Sequence, residues 1–397
     1  MSTPQATSTG GQAQVLVVNA GSSSLKMKLL PSGESVVIER LGGPTSVRAS
    51  FALVEPPRLE RHDHAFDFGL QLLREHTGVT EPVAVGHRVV HGGTRFVAPT
   101  LIDEGVEAAI EELCPLAPLH NPGNLAAIRA ARAALPEIPH VAIFDTAFHA
   151  TLPPHAYHYG LPLEYAESGV RRYGFHGTSH QYVSREAASV VGRPLDELRM
   201  ITLHLGNGAS ATAVLHGESV DTSMGFTPLE GLLMGTRTGD IDPGLLVHLL
   251  RGGMTLDALD DLLNRGGGLR GMSGISNDMR DVRKAAARGE EGAIAALELF
   301  AYRVKKTIGA YAAALGGLDV LVFTGGIGEN DAASRAECLA GLGFLGVRLD
   351  DERNARGEVV ISTADSAVTV LVVPTDEEGL IAEQARAVAA GAEGTLG

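Results

Sequence analysis

Residues 15–26 read VLVVNAGSSSLK, and they indicate the fold more strongly than any other segment of the chain. The apolar run before Asn19 predicts a strand, and the residues from Lys26 onward predict a second strand that returns beside the first. Gly21 permits a sharp turn between them, at which successive backbone N–H groups can converge on one anion. Serine hydroxyls and a lysine ammonium add further donors. The segment therefore predicts a phosphate-binding hairpin, with an ordinary Gly- and Ser-rich turn as the alternative.

Composition and charge restrict the class of protein. A chain of 397 residues favours two domains over one. Its formal charge of −15 argues against a nucleic-acid partner, which needs a net basic face. The cysteines, Cys114 and Cys338, form neither a zinc pattern nor a disulfide framework, so a reduced, cytoplasmic setting is expected. We expect no membrane-spanning segment and no signal peptide, and residues 1–13 have the composition of a disordered tail.

Short apolar runs alternate with helical patterns, which predicts an α/β fold. The predicted strands cover residues 14–19, 25–30, 83–90, 140–144, 200–205, 211–215, 318–323 and 367–373. The predicted helices cover residues 104–113, 123–134, 180–191, 255–264, 291–315, 331–341 and 377–390. Gly316 and Gly317 follow the longest helix and would end it.

Two further Gly-rich turns extend the pattern. Residues 201–214, ITLHLGNGASATAV, repeat the strand–turn–strand form and predict a duplicated domain with the ligand between the halves. Chance similarity of two β-turns is the alternative. Residues 322–330, VFTGGIGEN, would bring a helix N-terminus to a ligand, or would only pack a strand against a helix. The chain contains no Walker A loop, and the third turn lacks the dinucleotide-binding spacing.

Three charged residues stand in segments where charge needs an explanation. Arg88 lies within the apolar, strand-like segment GHRVVHGG, and Arg237 lies among small residues in GTRTGDIDP. Two guanidinium groups would suit a carboxylate and a phosphoryl group, whereas a structural salt bridge is the alternative for each. Asp145 follows the apolar run VAIF, where an active-site acid is common in α/β folds; it could instead cap the following helix.

Histidines and acids give weaker signals. The chain has 15 histidines, and no metal-binding spacing organises them. Four are singled out because we place them in Gly- or Asn-rich turns: His120, His176, His180 and His204. The acids at 376–378 precede the last helix, where they would favour the helix dipole or hold Mg²⁺.

Together these segments resemble the acetokinase family over nearly the whole chain. The matching segments are VLVVNAGSSSLK, GHRVVHGG, PLHNPGNL, FDTAFHATLP, YGFHGTSHQYV, LHLGNGAS, DTSMGFTPLEGLLMGTRTGDIDP, SNDMRD, FTGGIGEN and PTDEE. The resemblance implies the actin/hexokinase-like (ribonuclease H-like) fold of two duplicated α/β domains, with the active site in the interdomain cleft. The domains would be residues 14–147 with 377–397, and residues 148–376. Reversible phosphoryl transfer between ATP and acetate is implied, with Mg²⁺ (or Mn²⁺) bound, in a homodimer.

The resemblance also implies roles for individual residues. Asn19 and Glu377 would hold the metal, and the catalytic residues would be Asp145, His176 and Arg237. The substrate-binding residues would be Lys26, Arg88, Val90, Leu119, Phe175 and Pro228, with Arg88 on the acetate carboxylate and the last four around its methyl group. The nucleotide-binding residues would be Ser22, Ser24, His204, Leu205, Gly206, Asn207, Gly208, Asp278, Met279, Arg280, Gly326, Ile327, Gly328, Glu329 and Asn330.

Departures from the family pattern are few. The family often has Asn where Asp376 stands, an apolar residue where Gly379 stands, and a larger apolar residue where Met279 stands. The last of these leaves the preference among purine nucleotides open. Because acetate is ionised at neutral pH, we expect direct in-line transfer without a general base. A propionate kinase and a non-catalytic nucleotide-binding relative are the competing hypotheses.

Overall fold

The computed structural model describes residues 13–52 and 57–393. All but the last residue of the predicted tail, 1–13, lies outside this described part. The described chain divides into two units. Unit one contains residues 13–147 and 377–393, and unit two contains residues 148–376.

Strands and helices alternate along both units. The strands are β1 (Val15–Ala20), β2 (Ser24–Leu30), β3 (Ser35–Glu39), β4 (Ser46–Ala49), β5 (Ala84–Val89), β6 (Thr100–Leu101), β7 (His140–Phe144), β8 (Arg199–Leu205), β9 (Ala209–Leu215), β10 (Glu218–Thr222), β11 (Val320–Thr324) and β12 (Thr369–Val372). The helices are α1 (His62–Thr77), α2 (Glu104–Glu112), α3 (Asn121–Ala134), α4 (Pro154–Tyr157), α5 (Leu163–Glu167), α6 (Gly177–Val191), α7 (Pro243–Arg251), α8 (Leu256–Asp261), α9 (Gly268–Ser273), α10 (Met279–Ala287), α11 (Glu291–Ala314), α12 (Gly325–Asn330), α13 (Ala332–Leu339), α14 (Asp351–Arg356) and α15 (Glu377–Glu393).

The sheet of unit one has the strand order β4-β3-β2-β1-β5-β7-β6. Strands β1 to β4 form an antiparallel meander, while β5 and β7 run parallel to β1. In the hairpin of β1 and β2, Asn19 lies opposite Lys26. Cross-strand partners share one face of a sheet, so these two side chains are neighbours.

The sheet of unit two has the order β10-β9-β8-β11-β12, with β8 to β10 antiparallel and β11 and β12 parallel to β8. The order β3-β2-β1-β5-β7 in unit one has the same arrangement of directions. Each unit therefore contains a three-stranded meander followed by two parallel strands. This repetition confirms the predicted duplicated α/β fold.

Helices cover both faces of the sheet in unit one. On one face, Leu25 and Met27 of β2 share a buried cluster with Phe66 of α1. On the other, Val17 of β1 packs with Ile381 of α15. In unit two, α6 packs on β8 and β11 through a cluster that includes Val183 and Met200. These layers fix the strand ends at which the candidate site residues lie.

Two of the histidines predicted to lie in turns do not. His180 is a fully buried residue of α6, and His204 is a residue of strand β8. His180 follows Gly177, but helix α6 has already begun there, and His204 precedes Gly206, but strand β8 has not yet ended. Across the described ranges, no helix is both long and apolar enough to cross a bilayer.

Candidate active site

The carboxyl ends of three neighbouring parallel strands in unit one bring together Asn19, Arg88 and Asp145. Asn19 is near the end of β1, Arg88 near the end of β5, and Asp145 directly follows β7. Because β5 pairs with both β1 and β7, these ends lie at one edge of the sheet. Such an edge is the usual location of ligand sites in α/β sheets.

Arg88 and Asp145 form a bidentate ion pair. The Arg88 Nε and Nη2 donate to the two Asp145 carboxylate oxygens at 2.9 and 2.6 Å. Arg88 Nη1 lies 3.5 Å from Asn19 Oδ1. The carboxylate of Asp145 is therefore committed to Arg88, and the reading of Asp145 as a helix cap is wrong.

Burial and charge act in opposite directions on this pair. Burial raises the pKa of Asp145, which is 1% exposed, and Arg88 opposes that rise by charge and hydrogen bonding. Burial would lower the pKa of Arg88, but Asp145 and Glu377 outweigh it and raise that pKa above its ordinary value. The guanidinium thus stays charged at every working pH.

Helix α15 places two carboxylates beside this strand edge. Glu378 forms ion pairs with Lys26 and, at 3.0 Å, with Lys28. Glu377 is close enough to shift the pKa of Arg88. Among the described residues, no group of three or more His, Cys, Asp or Glu side chains could hold a metal. The predicted metal residues Asn19 and Glu377 offer the amide and carboxylate oxygens that Mg²⁺ prefers, so the donor chemistry fits that ion.

The first turn of α3 connects two loops of unit one, one after β1 and one after β5. Asn124, 2% exposed, donates from Nδ2 to the Ala20 carbonyl at 2.6 Å and accepts from the Val90 N–H at 3.1 Å. The Gly123 backbone packs so tightly on the Gly21 carbonyl that a Cβ would lie 2.6 Å from that oxygen. A single buried amide therefore connects the hairpin loop to the end of β5.

The substrate residues predicted in unit one differ in exposure. Val90 is 7% exposed, whereas Leu119 is 46% exposed. Of the residues of unit one predicted to bind the nucleotide, Ser22 is exposed, and Ser24 is partly buried at the start of β2.

In unit two, His176 and Arg237 meet at the turn between β8 and β9. A Cβ on Gly208 would lie 3.4 Å from His176 Nε2 and 3.7 Å from Arg237 Nη1. A side chain larger than hydrogen at position 208 would thus occupy the space beside both groups. The two candidate catalytic side chains and the backbone of the turn at Gly208 form one surface.

Arg237 is a partly buried guanidinium without a carboxylate partner among the described residues. Its Nη1 donates to the Pro228 carbonyl at 3.0 Å and lies 3.6 Å from Met234 Sδ. Burial lowers the pKa of Arg237, and no neighbouring charge offsets that effect. Such a group is ready to bind an anion.

His176 takes part in a network of buried hydroxyl and imidazole groups. Its φ of 57° is left-handed, a conformation that costs a non-Gly residue about 1–3 kcal/mol. Its Nδ1 hydrogen-bonds to Ser210 Oγ at 2.8 Å, and its ring stacks on His204 at 4.3 Å. Ser210 Oγ also bonds to His180 Nε2 at 2.7 Å. The network fixes the His176 ring against the Gly208 turn despite the backbone strain.

A cavity of about 560 Å³ opens beside the same turn. It is large enough for a small organic ligand. Eight of the residues predicted to contact the nucleotide line it: Gly206, Asn207, Asp278, Met279, Arg280, Gly326, Ile327 and Asn330. Asn277, Arg283 and Asp331 complete the lining.

The other predicted nucleotide residues of unit two lie in β8 (His204 and Leu205), in the turn after it (Gly208) and in α12 (Gly328 and Glu329). Glu329 Oε1 accepts from the N–H groups of Gly325 and Thr375, at 2.9 and 3.1 Å. Leu205 is fully buried, and Gly328 is buried within α12. Glu329 thus holds the turn that shapes the cavity.

Phe175 and Pro228 also belong to unit two. Phe175 is 2% exposed, and its carbonyl accepts from His149 Nε2 at 3.0 Å. Pro228 lies in a loop and orients Arg237 through its carbonyl.

Several residues that organise the site were missed from the sequence. Asn124 lies in a segment quoted for the resemblance, yet a buried amide bridging two loops has no local pattern. Arg283 lines the cavity and pairs with Asp331 at 2.5 Å. Its position one helical turn after Met279 on α10 was a usable signal, because residues four apart share a helix face.

Comparison with known proteins identifies the relatives of this chain. The model of the acetokinase family matches residues 14–383. An acetate kinase of Leifsonia xyli subsp. xyli is 55% identical over 401 residues, covering 95% of this chain and 99% of the relative. One of Thermotoga maritima is 50% identical over 396 residues, with coverages of 94% and 98%.

Solved structures agree with these matches. The crystal structure of Porphyromonas gingivalis acetate kinase has a TM-score of 0.90 and 44% identity, covering 95% of this chain and all of the other. A propionate kinase from Francisella tularensis also has a TM-score of 0.90, with 38% identity and the same coverages. The fold, the family match and these identities show that the chain belongs to the acetokinase family.

Proposed function

We propose that this protein is an acetate kinase, which transfers the γ-phosphoryl group of ATP to acetate and yields acetyl phosphate and ADP, reversibly. The observation that carries the proposal is Arg237, a partly buried guanidinium beside His176 with no carboxylate partner in the described part of the chain. A charge left uncompensated next to a Gly-rich turn suits a phosphoryl group in transfer. Relatives at about 50% identity that carry the name acetate kinase supply the substrate.

Unit one would bind the acetate. The Arg88 guanidinium would bind the carboxylate, and Asp145 would orient Arg88 through its two hydrogen bonds. Val90 and Leu119 from this unit, with Phe175 and Pro228 from unit two, would contact the methyl group. Lys26, held by Glu378, would add positive charge on the path of the phosphoryl group.

Unit two would bind the nucleotide. The 560 Å³ cavity would take the adenosine beside Asp278, Met279 and Arg280, and the turn at 204–208 would contact the phosphates. The segment 326–330 would form the opposite wall. Ser22 and Ser24 of unit one would contribute hydroxyls to the phosphate path.

Asn19 and Glu377 would hold Mg²⁺, or Mn²⁺ in its place, through their oxygen atoms. When bound, the ion would neutralise charge on the phosphate oxygens. The neighbouring Arg88 is paired with Asp145, which weakens its repulsion of a cation relative to that of a free guanidinium.

Acetate needs no general base, because its carboxylate is already ionised at neutral pH. The protein's task is to bring two anions together, with Arg88, Lys26, Arg237 and His176 offsetting their repulsion. We infer direct in-line transfer without a phosphoenzyme. Asp145 then acts on the position of Arg88 and removes no proton.

A hydroxamate assay for acetyl phosphate, run on the purified protein with ATP, Mg²⁺ and acetate, tests the activity directly. No product would refute it and favour a non-catalytic nucleotide-binding protein. Transfer from a chirally labelled γ-phosphate tests the mechanism: inversion is expected, and net retention would require a phosphoenzyme.

Propionate kinase is the second candidate, favoured by the structural match to the Francisella tularensis enzyme. One methylene in an apolar pocket is worth about 1–3 kcal/mol, so the two functions differ only in degree. Values of kcat/KM for acetate, propionate and butyrate decide between them.

We also infer a homodimer. Helix α7 has no buried residue, all of it being described, and it exposes Leu245, Val247 and Leu250. Such an apolar face suits a second copy of the chain. Sedimentation would show the dimer, and it should weaken in Val247→Glu. The cytoplasmic location stays a prediction from the two free cysteines.

A further inference from the structure

The loop of residues 223–230, which follows β10, carries the carbonyl that orients Arg237. That carbonyl belongs to Pro228 and accepts from Arg237 Nη1 at 3.0 Å. Arg237 has no ion pair among the described residues to fix its direction. The position of its guanidinium therefore depends on where this loop is held.

Two side chains from a distant segment hold the loop. The Tyr159 hydroxyl accepts from the Phe226 N–H at 2.8 Å and donates to Glu230 Oε2 at 2.5 Å. Arg172 donates to the Ser223 and Met224 carbonyls, at 3.2 and 3.0 Å, and to Glu230 Oε1 at 2.5 Å.

The attachments stand on both sides of Pro228. Phe226 precedes it by two residues and Glu230 follows it by two. The one hydroxyl of Tyr159 spans both, accepting on one side and donating on the other. No other described side chain is hydrogen-bonded to the loop at both of these residues.

We propose that Tyr159 is a positioning residue that sets Arg237 for phosphoryl transfer by holding the 223–230 loop; this rests on the proposed function. Arg172 and Glu230 complete the same brace. Tyr159 acts through the Pro228 carbonyl and touches no reacting atom. Because Pro228 is also a predicted wall of the methyl pocket, the brace should influence substrate choice as well as rate.

Tyr159→Phe removes only the hydroxyl and is the direct test. Tyr173→Phe is the matched control, since the Tyr173 hydroxyl lies in the same segment and donates to the Gly169 carbonyl at 2.7 Å. We expect Tyr159→Phe to lower kcat at least about threefold, the value of one lost hydrogen bond. The propionate-to-acetate ratio of kcat/KM should also move, while the KM for ATP stays the same. Tyr173→Phe should leave all three unchanged.

Hydrogen exchange gives a readout that does not depend on activity. Peptides containing the Phe226 amide should exchange faster in Tyr159→Phe than in the wild type or in Tyr173→Phe. Unchanged exchange overturns the brace, whatever the kinetics.

The kinetic measurements distinguish failure of the proposed acetate kinase activity from failure of the positioning role of Tyr159. An inactive wild type overturns the proposed function, and the exchange experiment still tests the brace. An active wild type with unchanged kcat and substrate ratio in Tyr159→Phe overturns the positioning role. Equal kinetic losses in both variants would show a general structural effect and would also overturn it.

Discussion

Substitution by Met keeps much of the side-chain length of an arginine and removes its charge. At Arg88 we expect this substitution to lower mainly the stability of the protein, and at Arg237 mainly its kcat. Arg88→Met leaves Asp145, 1% exposed, as a buried carboxylate without its bidentate partner. Breaking a buried pair in this way costs about 3–5 kcal/mol. For a unit of this size we expect the melting temperature to fall by roughly 6–20 °C.

Arg237→Met removes no ion pair from the described part of the protein. It loses one hydrogen bond to the Pro228 carbonyl, worth about 0.5–1.5 kcal/mol. It also relieves the burial of a cation, an effect visible in the lowered pKa of Arg237. These effects oppose each other, so stability should change by no more than about 1 kcal/mol, or increase.

The variant that loses less stability, Arg237→Met, should lose more of its kcat. Arg237→Met removes a cation that acts mainly in the transition state, so kcat should fall by about 10³-fold with little change in the KM for ATP. Arg88→Met should raise the KM for acetate. Thermal unfolding and steady-state kinetics on both variants provide the comparison.

Two results would contradict this reasoning. If Arg237→Met is destabilised as strongly as Arg88→Met, the guanidinium has a structural counter-ion. If it keeps the wild-type kcat, it has no role in the transition state.

Three further predictions follow from single side chains. Val90→Ala should raise the propionate-to-acetate ratio of kcat/KM by about tenfold, because it frees space for one methylene; an unchanged ratio would remove Val90 from the pocket. Asn124→Asp replaces the donor to the Ala20 carbonyl with an oxygen and should cost about 1–3 kcal/mol in denaturant unfolding. It should also raise the Mg²⁺ concentration for half-maximal activity, since Asn19 adjoins Ala20. Burial lowers the pKa of His149 from 6.5 to about 4. Its stabilising contribution is therefore complete above pH 6.5 and is lost as the pH falls toward 4, by about 3 kcal/mol. Unfolding free energies of the wild type at pH 7 and pH 4.5 should show this loss, and His149→Gln should show a smaller slope.

Periodicity predicted most of the elements that carry the site. The strand predicted at 140–144 is β7, His140–Phe144, because five buried residues follow one another between polar segments. Helix α1 was missed although Ala65, Phe66, Gly69, Leu70 and Leu73 repeat at helical spacing. Its first residues are charged or histidine and its N-cap has no side-chain hydrogen bond, so no start signal marks it.

Pairing across the chain could not be predicted with the same success. Arg88 and Asp145 are 57 residues apart and meet because β5 and β7 are parallel neighbours. The sequence favoured both as site residues, with a structural salt bridge as the alternative for Arg88 and a helix cap as the alternative for Asp145. The structure shows a salt bridge at the strand edge and places Arg88 Nη1 3.5 Å from Asn19 Oδ1, and the role of Arg88 in binding acetate stays a prediction.

The two Gly-rich hairpins have similar sequence patterns, but the charged groups around them differ. In the first hairpin, Lys26 and Lys28 both form ion pairs with the one carboxylate of Glu378, from a helix that begins 351 and 349 residues later, at Glu377. In the second hairpin, His204 and Ser210 occupy the corresponding strands and join a network of hydroxyl and imidazole groups. The first turn of helix α15 supplies this carboxylate in unit one, and no strand pattern in the sequence predicts it. Arg237 in unit two has no carboxylate partner among the described residues, so its positive charge is available to the phosphoryl group of the proposed reaction.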